Sequence, residues 1–164
     1  NTHYLHKKVT DYLLNRKKSK IKIEVTFEEE LLGTAGTLIK NHEFFRDSKI
    51  ALIHSDNMTN FKIQELIKAD AYRPDNCLLT MLTFTTETPQ SCGIVVCDDD
   101  NILKEFYEKT LNPPSNIANA AIYVFDNILL DLLVKRYSHF KDFSKEVIPI
   151  LIGKIITYYN GKKI

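Results

Sequence analysis

Strand-like and helix-like patterns alternate along this chain of 164 residues, and the alternation restricts the folds that it can adopt. Ile21, Ile23 and Val25 alternate with polar residues, which is the two-residue period of a strand. The apolar run at 49–54 predicts a short strand that is buried on both faces. Further strands are predicted at 77–84, 93–97, 102–107 and 117–125.

Helical patterns fall between these strands. Helices are predicted at 2–15, 34–45, 61–71, 126–134 and 144–152. Strands that alternate with helices, with antiparallel pieces inserted, indicate one α/β domain over residues 1–164 with a mixed sheet. The carboxylates of Asp98, Asp99 and Asp100 fit a hairpin turn better than a metal site. Asn160-Gly161 predicts the turn of a terminal hairpin, and the basic run at 16–20 predicts a solvated connector.

Composition excludes several classes of function. The 22 Lys and Arg residues balance 21 Asp and Glu residues, so the net charge of +1 argues against a nucleic-acid-binding protein. No apolar run reaches the length of about 20 residues that a membrane span needs. The three cysteines show no C-x-x-C spacing, which indicates reduced thiols in a cytoplasmic protein. The five histidines match no zinc or catalytic-triad spacing.

Two loops that follow predicted strands carry candidate binding residues. In the first loop, which spans 28–38, glycines allow close backbone approach, and a helix that begins near Thr34 offers N–H groups to a phosphate or a base edge. The second loop is Ser55-Asp56-Asn57. Asp56 at the end of a strand is a reasonable Mg²⁺ ligand, although a turn or a helix cap would also explain it.

Read in order, five segments resemble the sugar-1-phosphate nucleotidyltransferases, and most of all the branch with mannose-1-phosphate and heptose-1-phosphate guanylyltransferases. The segments are Glu28 to Gly36, Leu52 to Asn57, Tyr107 to Lys109, Ser115 to Phe125 and Asp142 to Pro149. The resemblance implies a Rossmann-like fold with a mixed, mainly parallel central sheet flanked by helices. It also implies transfer of a nucleotidyl group, with GTP as the expected donor, to a sugar 1-phosphate, which releases pyrophosphate.

The same resemblance implies roles for individual residues. Asp56 would hold Mg²⁺ and Lys109 would bind the sugar phosphate, and these two are the expected catalytic residues. The nucleotide would contact Gly33 and Thr34, together with Glu28 or Glu29, since a carboxylate suits the donors of guanine. The expected sugar-binding residues are Gly93, Glu108 and Asn119.

The chain departs from the pattern of this family at several places. Ala121 stands where the family usually has glycine, and the family's phosphate loop and second metal aspartate are not found, so the sequence predicts a domain that is incomplete at both ends. A non-catalytic relative that binds sugar nucleotides stays open, as does a thymidylyl- or cytidylyl-transferring member. The expected partners are small-molecule substrates, with no nucleic acid and no membrane, and a homo-oligomer is left open.

Overall fold

A mixed sheet runs through the computed structural model, which describes residues 1–16 and 21–161. Its six strands in these ranges are β1 (Ile50–Ile53), β2 (Leu79–Thr85), β3 (Gly93–Cys97), β4 (Leu103–Glu108), β5 (Ile117–Phe125) and β6 (Ile155–Tyr159). Their order across the sheet is β4-β3-β5-β2-β6, and β1 pairs with the C-terminal half of β5. β5 is therefore the central strand, because it pairs with β1, β2 and β3.

Helices connect the strands and pack against the sheet. They are α1 (His6–Asn15), α2 (Gly33–Lys40), α3 (Ile63–Asp70), α4 (Asn127–Arg136) and the short α5 (Ile148–Ile150). A 3₁₀ turn, His42–Phe45, follows α2, and a π turn, Phe143–Val147, leads into α5. Asp126 begins α4 because its side chain accepts a hydrogen bond from the Ile128 amide at 3.1 Å.

The two faces of the sheet carry two hydrophobic clusters. Alternate residues of a strand point to opposite faces, so Tyr123 and Phe125 pack with Phe143 in the larger cluster, under α2 and α4. Ile122 and Val124 belong to the smaller cluster on the other face, which is covered by α3. The larger cluster matters for function, because the candidate site lies along its edge.

The sheet curves until its two edge strands approach each other. The Gly153 amide donates to the Leu103 carbonyl at 2.8 Å, and the Thr157 amide donates to the Asn101 carbonyl at 2.9 Å. A bridge between Ile102 and Ile156 completes this contact. The segments at the starts of β4 and β6 therefore satisfy some of each other's backbone groups.

A buried ionic network fixes one end of the sheet. The fully buried Asp70 carboxylate accepts hydrogen bonds from Lys49, from Arg73 at 3.0 Å and from Thr80 at 2.7 Å. Arg73 also donates to Asp126 and to a backbone carbonyl. The network thereby joins the end of α3 to the beginnings of β1, β2 and α4.

The α/β class with a mixed sheet is confirmed, but the expectation of a mainly parallel sheet is wrong for the described residues. Only β2 and β6 pair in parallel, whereas the β1–β5, β2–β5, β3–β4 and β3–β5 pairs are antiparallel. The reason is that β3 and β4 form a tight hairpin and β5 runs opposite to each of its neighbours. A parallel pair requires a long connection, and here the chain from 86 to 154, which includes β3, β4, β5 and α4, joins β2 to β6.

Two strand predictions in the N-terminal third need correction. Residues 21–26 form no strand. The Thr26 carbonyl accepts from the Thr2 amide at 2.8 Å, and an isolated bridge between Thr2 and Phe27 follows, but the pairing does not extend into a ladder. Ile21 is consequently 74% exposed. β1 forms as predicted but is not buried on both faces: Ile50 is buried, whereas Ile53 is 47% exposed. Within the described ranges, no strand lies beside its outer edge.

The remaining elements agree with the sequence apart from their limits. The predicted strands at 77–84, 93–97, 102–107 and 117–125 are confirmed as β2 to β5, and Asp98 closes the predicted turn by accepting from the Ile102 amide at 2.8 Å. The first helix begins at His6 rather than at residue 2, and the helix predicted at 34–45 is split into α2 and the 3₁₀ turn. Most of the basic run, 17–20, and the second arm of the terminal hairpin, 162–164, lie outside the described residues.

Candidate functional site

Glu28 holds the loop before α2 in place from inside the protein. Only 1% of its surface is exposed, and its carboxylate accepts hydrogen bonds from the Thr37 hydroxyl at 2.5 Å, the Leu32 amide at 3.0 Å and the Asn1 side chain at 3.2 Å. Burial raises the pKa of Glu28, whereas the hydrogen bonds from these donors lower it, and with the nearby positive charge of the Asn1 amino group the pKa lies below its ordinary value. Glu29, by contrast, is exposed.

The glycine turn at the start of α2 packs against the segment before the π turn. Gly33 has a φ of +77°, and a side chain there would collide with the Lys141 carbonyl. That carbonyl accepts from the Ala35 amide at 2.9 Å and from the Gly36 amide at 3.5 Å. Two of the N–H groups expected for a ligand are thus used internally, and the Gly33 and Thr34 amides are left without an acceptor in the described part of the chain.

Asp56 and Thr34 line one cavity. It has a volume of about 500 Å³ and lies between β1, the 3₁₀ turn and α2; its wall is formed by Asn1, Thr34, Thr37, Leu38, Phe45, Ala51, Leu52, Ile53, His54, Ser55 and Asp56. The Asp56 side chain is exposed and makes no hydrogen bond or ion pair with any residue in 1–16 or 21–161. Its carboxylate oxygens are therefore available to a ligand.

A bulge in β5 lies next to the Asp56 loop. Asn57 donates to the Ala120 carbonyl at 2.8 Å, and the pairing of β2 with β5 shifts register between Met81 and Thr83. Ala121 sits in this bulge with a φ of +52°, the left-handed region in which glycine is favoured. Glycine would adopt this conformation without strain, so Ala121 is a strained residue beside the Asp56 loop.

The Asn119 side chain spans the bulge. Its Oδ1 accepts from the Ala121 amide at 2.9 Å, and its Nδ2 donates to the Tyr123 hydroxyl at 2.7 Å. Burial raises the pKa of Tyr123 to about 12, opposed by hydrogen bonds with Asn119 and Ser144 and assisted by the negative charge of Glu108. The hydroxyl therefore stays protonated at neutral pH.

The other predicted sugar-binding residues lie on the β3–β4 hairpin. Gly93 pairs with Glu108, and a side chain at Gly93 would meet the Phe106 ring at 2.6 Å and the Glu108 carboxylate at 2.9 Å. Lys109 follows with a φ of +50°, and its amide donates to the Cys92 carbonyl at 3.1 Å. Its side chain is exposed and makes no ion pair with any residue that the structure describes.

Most of the predicted site residues are thus connected by hydrogen bonds or line the same cavity. One cavity unites Thr34 and Asp56, Asn57 ties the Asp56 loop to the bulge, and the charge of Glu108 acts on Tyr123. Lys109 has no described contact with this group. The sequence analysis assigned no role to Tyr123, Asn57 or Ser144. The one indication in the sequence was that they lie in segments that resemble the nucleotidyltransferases.

In the part of the chain that the structure describes, histidine and cysteine side chains build no metal centre. Among the residues that the structure covers, no three His, Cys, Asp or Glu side chains are grouped to hold a metal ion. Cys77, Cys92 and Cys97 are free thiols; Cys77 is buried, and Cys92 and Cys97 are half-buried. His54 lines the cavity, but its Nε2 is buried without a hydrogen-bond partner in the described ranges.

Comparison with known proteins decides the family. The model of the family described as "Nucleotidyl transferase" matches residues 1–163. The chain belongs to this nucleotidyl transferase family. Its relatives include a glucose-1-phosphate adenylyltransferase of Lachnospira eligens, 31% identical over 79% of this chain and 33% of the relative, and a mannose-1-phosphate guanyltransferase of Candida albicans, 31% identical over 79% of this chain and 36% of the relative. This nucleotidyl transferase chain thus spans about a third of the length of these curated relatives.

Solved structures share the fold of this nucleotidyl transferase. HddC from Yersinia pseudotuberculosis, complexed with GMP-PN, superimposes with a TM-score of 0.77 at 16% identity, over 96% of this chain and 67% of that one. A putative glucose-1-phosphate thymidylyltransferase from Bacillus anthracis gives a TM-score of 0.79 at 14% identity, over 94% of this chain and 63% of that one. The resemblance to sugar-1-phosphate nucleotidyltransferases is therefore confirmed. No helix in the described ranges is both long and apolar enough to span a bilayer.

Proposed function

We propose that the protein containing this chain transfers a nucleotidyl group from GTP to a sugar 1-phosphate of the mannose or heptose type. The products are a nucleotide-sugar and pyrophosphate. The observation that carries this proposal is the cavity in which Thr34, at the start of α2, and Asp56, after β1, face the same space. Curated relatives that transfer guanylyl and adenylyl groups to sugar 1-phosphates support the reaction class.

The proposed reaction is an in-line displacement at the α-phosphorus of the nucleotide. An oxygen of the sugar 1-phosphate forms a bond to that phosphorus, the bond to the β-phosphate oxygen breaks, and pyrophosphate leaves with the electron pair. The protein needs no covalent intermediate, so its residues act by holding the reactants in line and by neutralising phosphate charge. The unused Gly33 and Thr34 amides would donate to the nucleotide, and Lys109 would bind the sugar phosphate as a point charge.

Asp56 fits the role of a magnesium ligand. Mg²⁺ is usually bound by one or two carboxylates plus substrate phosphates, and not by a full cage of protein ligands. Asp56 offers one exposed carboxylate at the cavity, and among the described residues no three His, Cys, Asp or Glu side chains are grouped to hold a metal ion without a substrate. When bound, the ion would neutralise charge on the α-phosphate. Asp56 itself would supply one anionic oxygen donor at the end of β1.

The choice of GTP rests on the carboxylates before the glycine turn. Guanine offers N1–H and N2–H₂ donors, which a carboxylate can accept. Glu29 is exposed and can do so directly, whereas Glu28 is buried and accepts from three internal donors. We therefore assign the base contact to Glu29 and a supporting role to Glu28. A cytoplasmic location and small-molecule partners belong to the same proposal.

The test is turnover by the full-length protein with Mg²⁺, GTP and mannose 1-phosphate, with Asp56→Asn as the decisive variant. Loss of the charge is expected to lower kcat by at least about a hundredfold. Asp99 is an exposed aspartate in the β3–β4 turn. Asp99→Asn is the matched control and should leave kcat unchanged. Equal kcat in the wild type and Asp56→Asn would remove Asp56 from the mechanism. Replacing GTP by ATP, dTTP, CTP or UTP identifies the donor.

A second candidate function is binding of sugar nucleotides without catalysis. The observation in its favour is Ala121, whose methyl group stands beside Asn119 in the left-handed bulge and would displace a bound sugar from the position for in-line transfer. In that case GDP-mannose would bind and raise the melting temperature, while no pyrophosphate would form in the assay above. Rapid release of pyrophosphate would exclude this candidate.

A further inference from the structure

The orientation of the Asn119 side chain is set by its neighbours. Its Oδ1 faces the Ala121 amide, and a backbone amide can only donate, so the atom facing it must be the oxygen. The nitrogen then necessarily faces the Tyr123 hydroxyl, which accepts at 2.7 Å. Two fixed partners thereby hold the amide in one orientation.

This arrangement leaves a defined part of the amide unused. A primary amide has two N–H donors and two oxygen lone pairs. Asn119 spends one N–H on Tyr123 and one lone pair on Ala121, so one donor and one acceptor remain, and its surface is half-buried. A donor next to an acceptor matches a sugar hydroxyl, which can accept the first and donate to the second.

The Tyr123 hydroxyl is itself held in place. Tyr123 is fully buried, and its ring lies 4.8 Å from the Phe143 ring. Phe143 in turn donates its amide to the Thr34 hydroxyl at 2.8 Å. Burial and ring packing thus restrict the Tyr123 ring, and the half-buried Asn119 amide aligns with its hydroxyl.

We propose that Tyr123 is a positioning residue that presents the free donor and acceptor of Asn119 to a hydroxyl of the sugar phosphate. Tyr123 does not touch the substrate; it acts through Asn119. The inference deepens the proposed function and rests on it for the identity of the ligand. It predicts that the Tyr123 hydroxyl affects affinity for the sugar phosphate and leaves affinity for the nucleotide unchanged.

Calorimetric titration of the full-length protein with mannose 1-phosphate and, separately, with GTP tests this. Tyr123→Phe should weaken binding of mannose 1-phosphate roughly five- to tenfold, the loss expected for one misaligned hydrogen bond, with less than a twofold change for GTP. Tyr159→Phe is the matched control, because its hydroxyl also bonds a side chain of the same sheet, Thr85 at 2.6 Å. Equal weakening of both ligands by Tyr123→Phe would overturn the proposal.

A double-mutant cycle separates positioning from a merely structural role. If Tyr123 acts through Asn119, adding Tyr123→Phe to Asn119→Ala should cause no further loss of mannose 1-phosphate affinity. Additive losses would contradict the proposal. Nuclear magnetic resonance of the ligand-free protein gives an independent readout: the Asn119 side-chain NH₂ signals should shift and exchange faster with water in Tyr123→Phe, and unchanged signals would also overturn it.

The two proposals fail in different ways. If the wild type binds none of the sugar 1-phosphates and forms no pyrophosphate, the proposed function is wrong. The resonance experiment still decides whether Tyr123 orients Asn119, because it needs no ligand. If the wild type binds mannose 1-phosphate and Tyr123→Phe binds it equally well, the positioning role alone is wrong.

Discussion

The Thr34 hydroxyl accepts a hydrogen bond from the Phe143 amide at 2.8 Å, although 109 residues separate the two in sequence. The bond ties the glycine turn that begins α2 to the π turn that follows α4. Phe143 is fully buried, so its amide has no access to water as a substitute. The shape of the proposed nucleotide loop therefore depends on a segment near the other end of the chain.

We expect Thr34→Val to lower the free energy of unfolding by about 1–3 kcal/mol, because the buried Phe143 amide loses its acceptor. Urea denaturation measures this. Thr34→Ser keeps the hydroxyl and should retain most of the stability. If serine and valine destabilise equally, the hydrogen bond is not the cause.

Ala121→Gly should raise the free energy of unfolding by about 0.5–1 kcal/mol, since a left-handed alanine is strained and the relief exceeds the entropy lost by glycine. Ala118→Gly is the control in the same strand; it has an ordinary φ, and there glycine should be destabilising. Thermal or urea denaturation compares the two. Destabilisation of both variants would argue against strain at Ala121.

Glu28→Gln should lower the free energy of unfolding by about 1–2 kcal/mol at neutral pH, because three donors lose a charged acceptor. The pKa of Glu28 lies below its ordinary value of 4.5, so its contribution is present above that pH. It is lost as the pH falls through the pKa of the folded state. The gap between wild type and variant should thus be constant above about pH 5.5 and shrink below about pH 4.5. A difference in free energy of unfolding that persists at low pH would contradict this. Glu29→Gln is the control and should have the same free energy of unfolding as the wild type.

Asp70→Asn should lower the free energy of unfolding by about 3–5 kcal/mol, since it leaves the buried Arg73 guanidinium without one of its carboxylate partners. Asp75 is an exposed aspartate near Asp70 in the sequence, and Asp75→Asn is the control. It should change the free energy of unfolding by less than about 0.5 kcal/mol. Chemical denaturation with both variants is the measurement. A loss below about 1 kcal/mol for Asp70→Asn would show that the network contributes little to stability.

Lys109→Met should raise the KM for the sugar phosphate about ten- to a hundredfold, the range for a lost charge-assisted hydrogen bond. The KM for the nucleotide should stay within twofold. Lys104→Met is the matched control, because Lys104 lies on the same hairpin and pairs with Asp98. A rise in the nucleotide KM instead would reverse the assignment of the two substrates.

Local patterns predicted the elements that depend on their own residues. β3, β5 and the Asp98 turn coincide with their predictions because alternation, burial and turn chemistry act within a few residues. The strand predicted at 21–25 failed because a strand also needs a neighbour, and no local pattern reports one. The exposed side of β1 has the same explanation.

The site residues also divide into those that local sequence predicts and those that depend on distant contacts. Asp56 and Thr34 were found from their loops, and the structure places both on one cavity. The burial of Glu28 could not be predicted, because its donors come from Asn1 and Thr37 as well as from its own loop. Tyr123 was missed because its contact with Asn119 passes over a bulge that changes the register of β5.

The parallel pairing of β2 with β6 has a consequence for synthesis on the ribosome. β2 ends at Thr85, but its partner begins only at Ile155, so the growing chain must extend by about seventy residues at roughly 5–20 residues per second before this ladder can form. During those seconds one side of β2 offers unpaired backbone groups to neighbouring chains. We expect nascent chains that stall before β6 to be the species most in need of a chaperone.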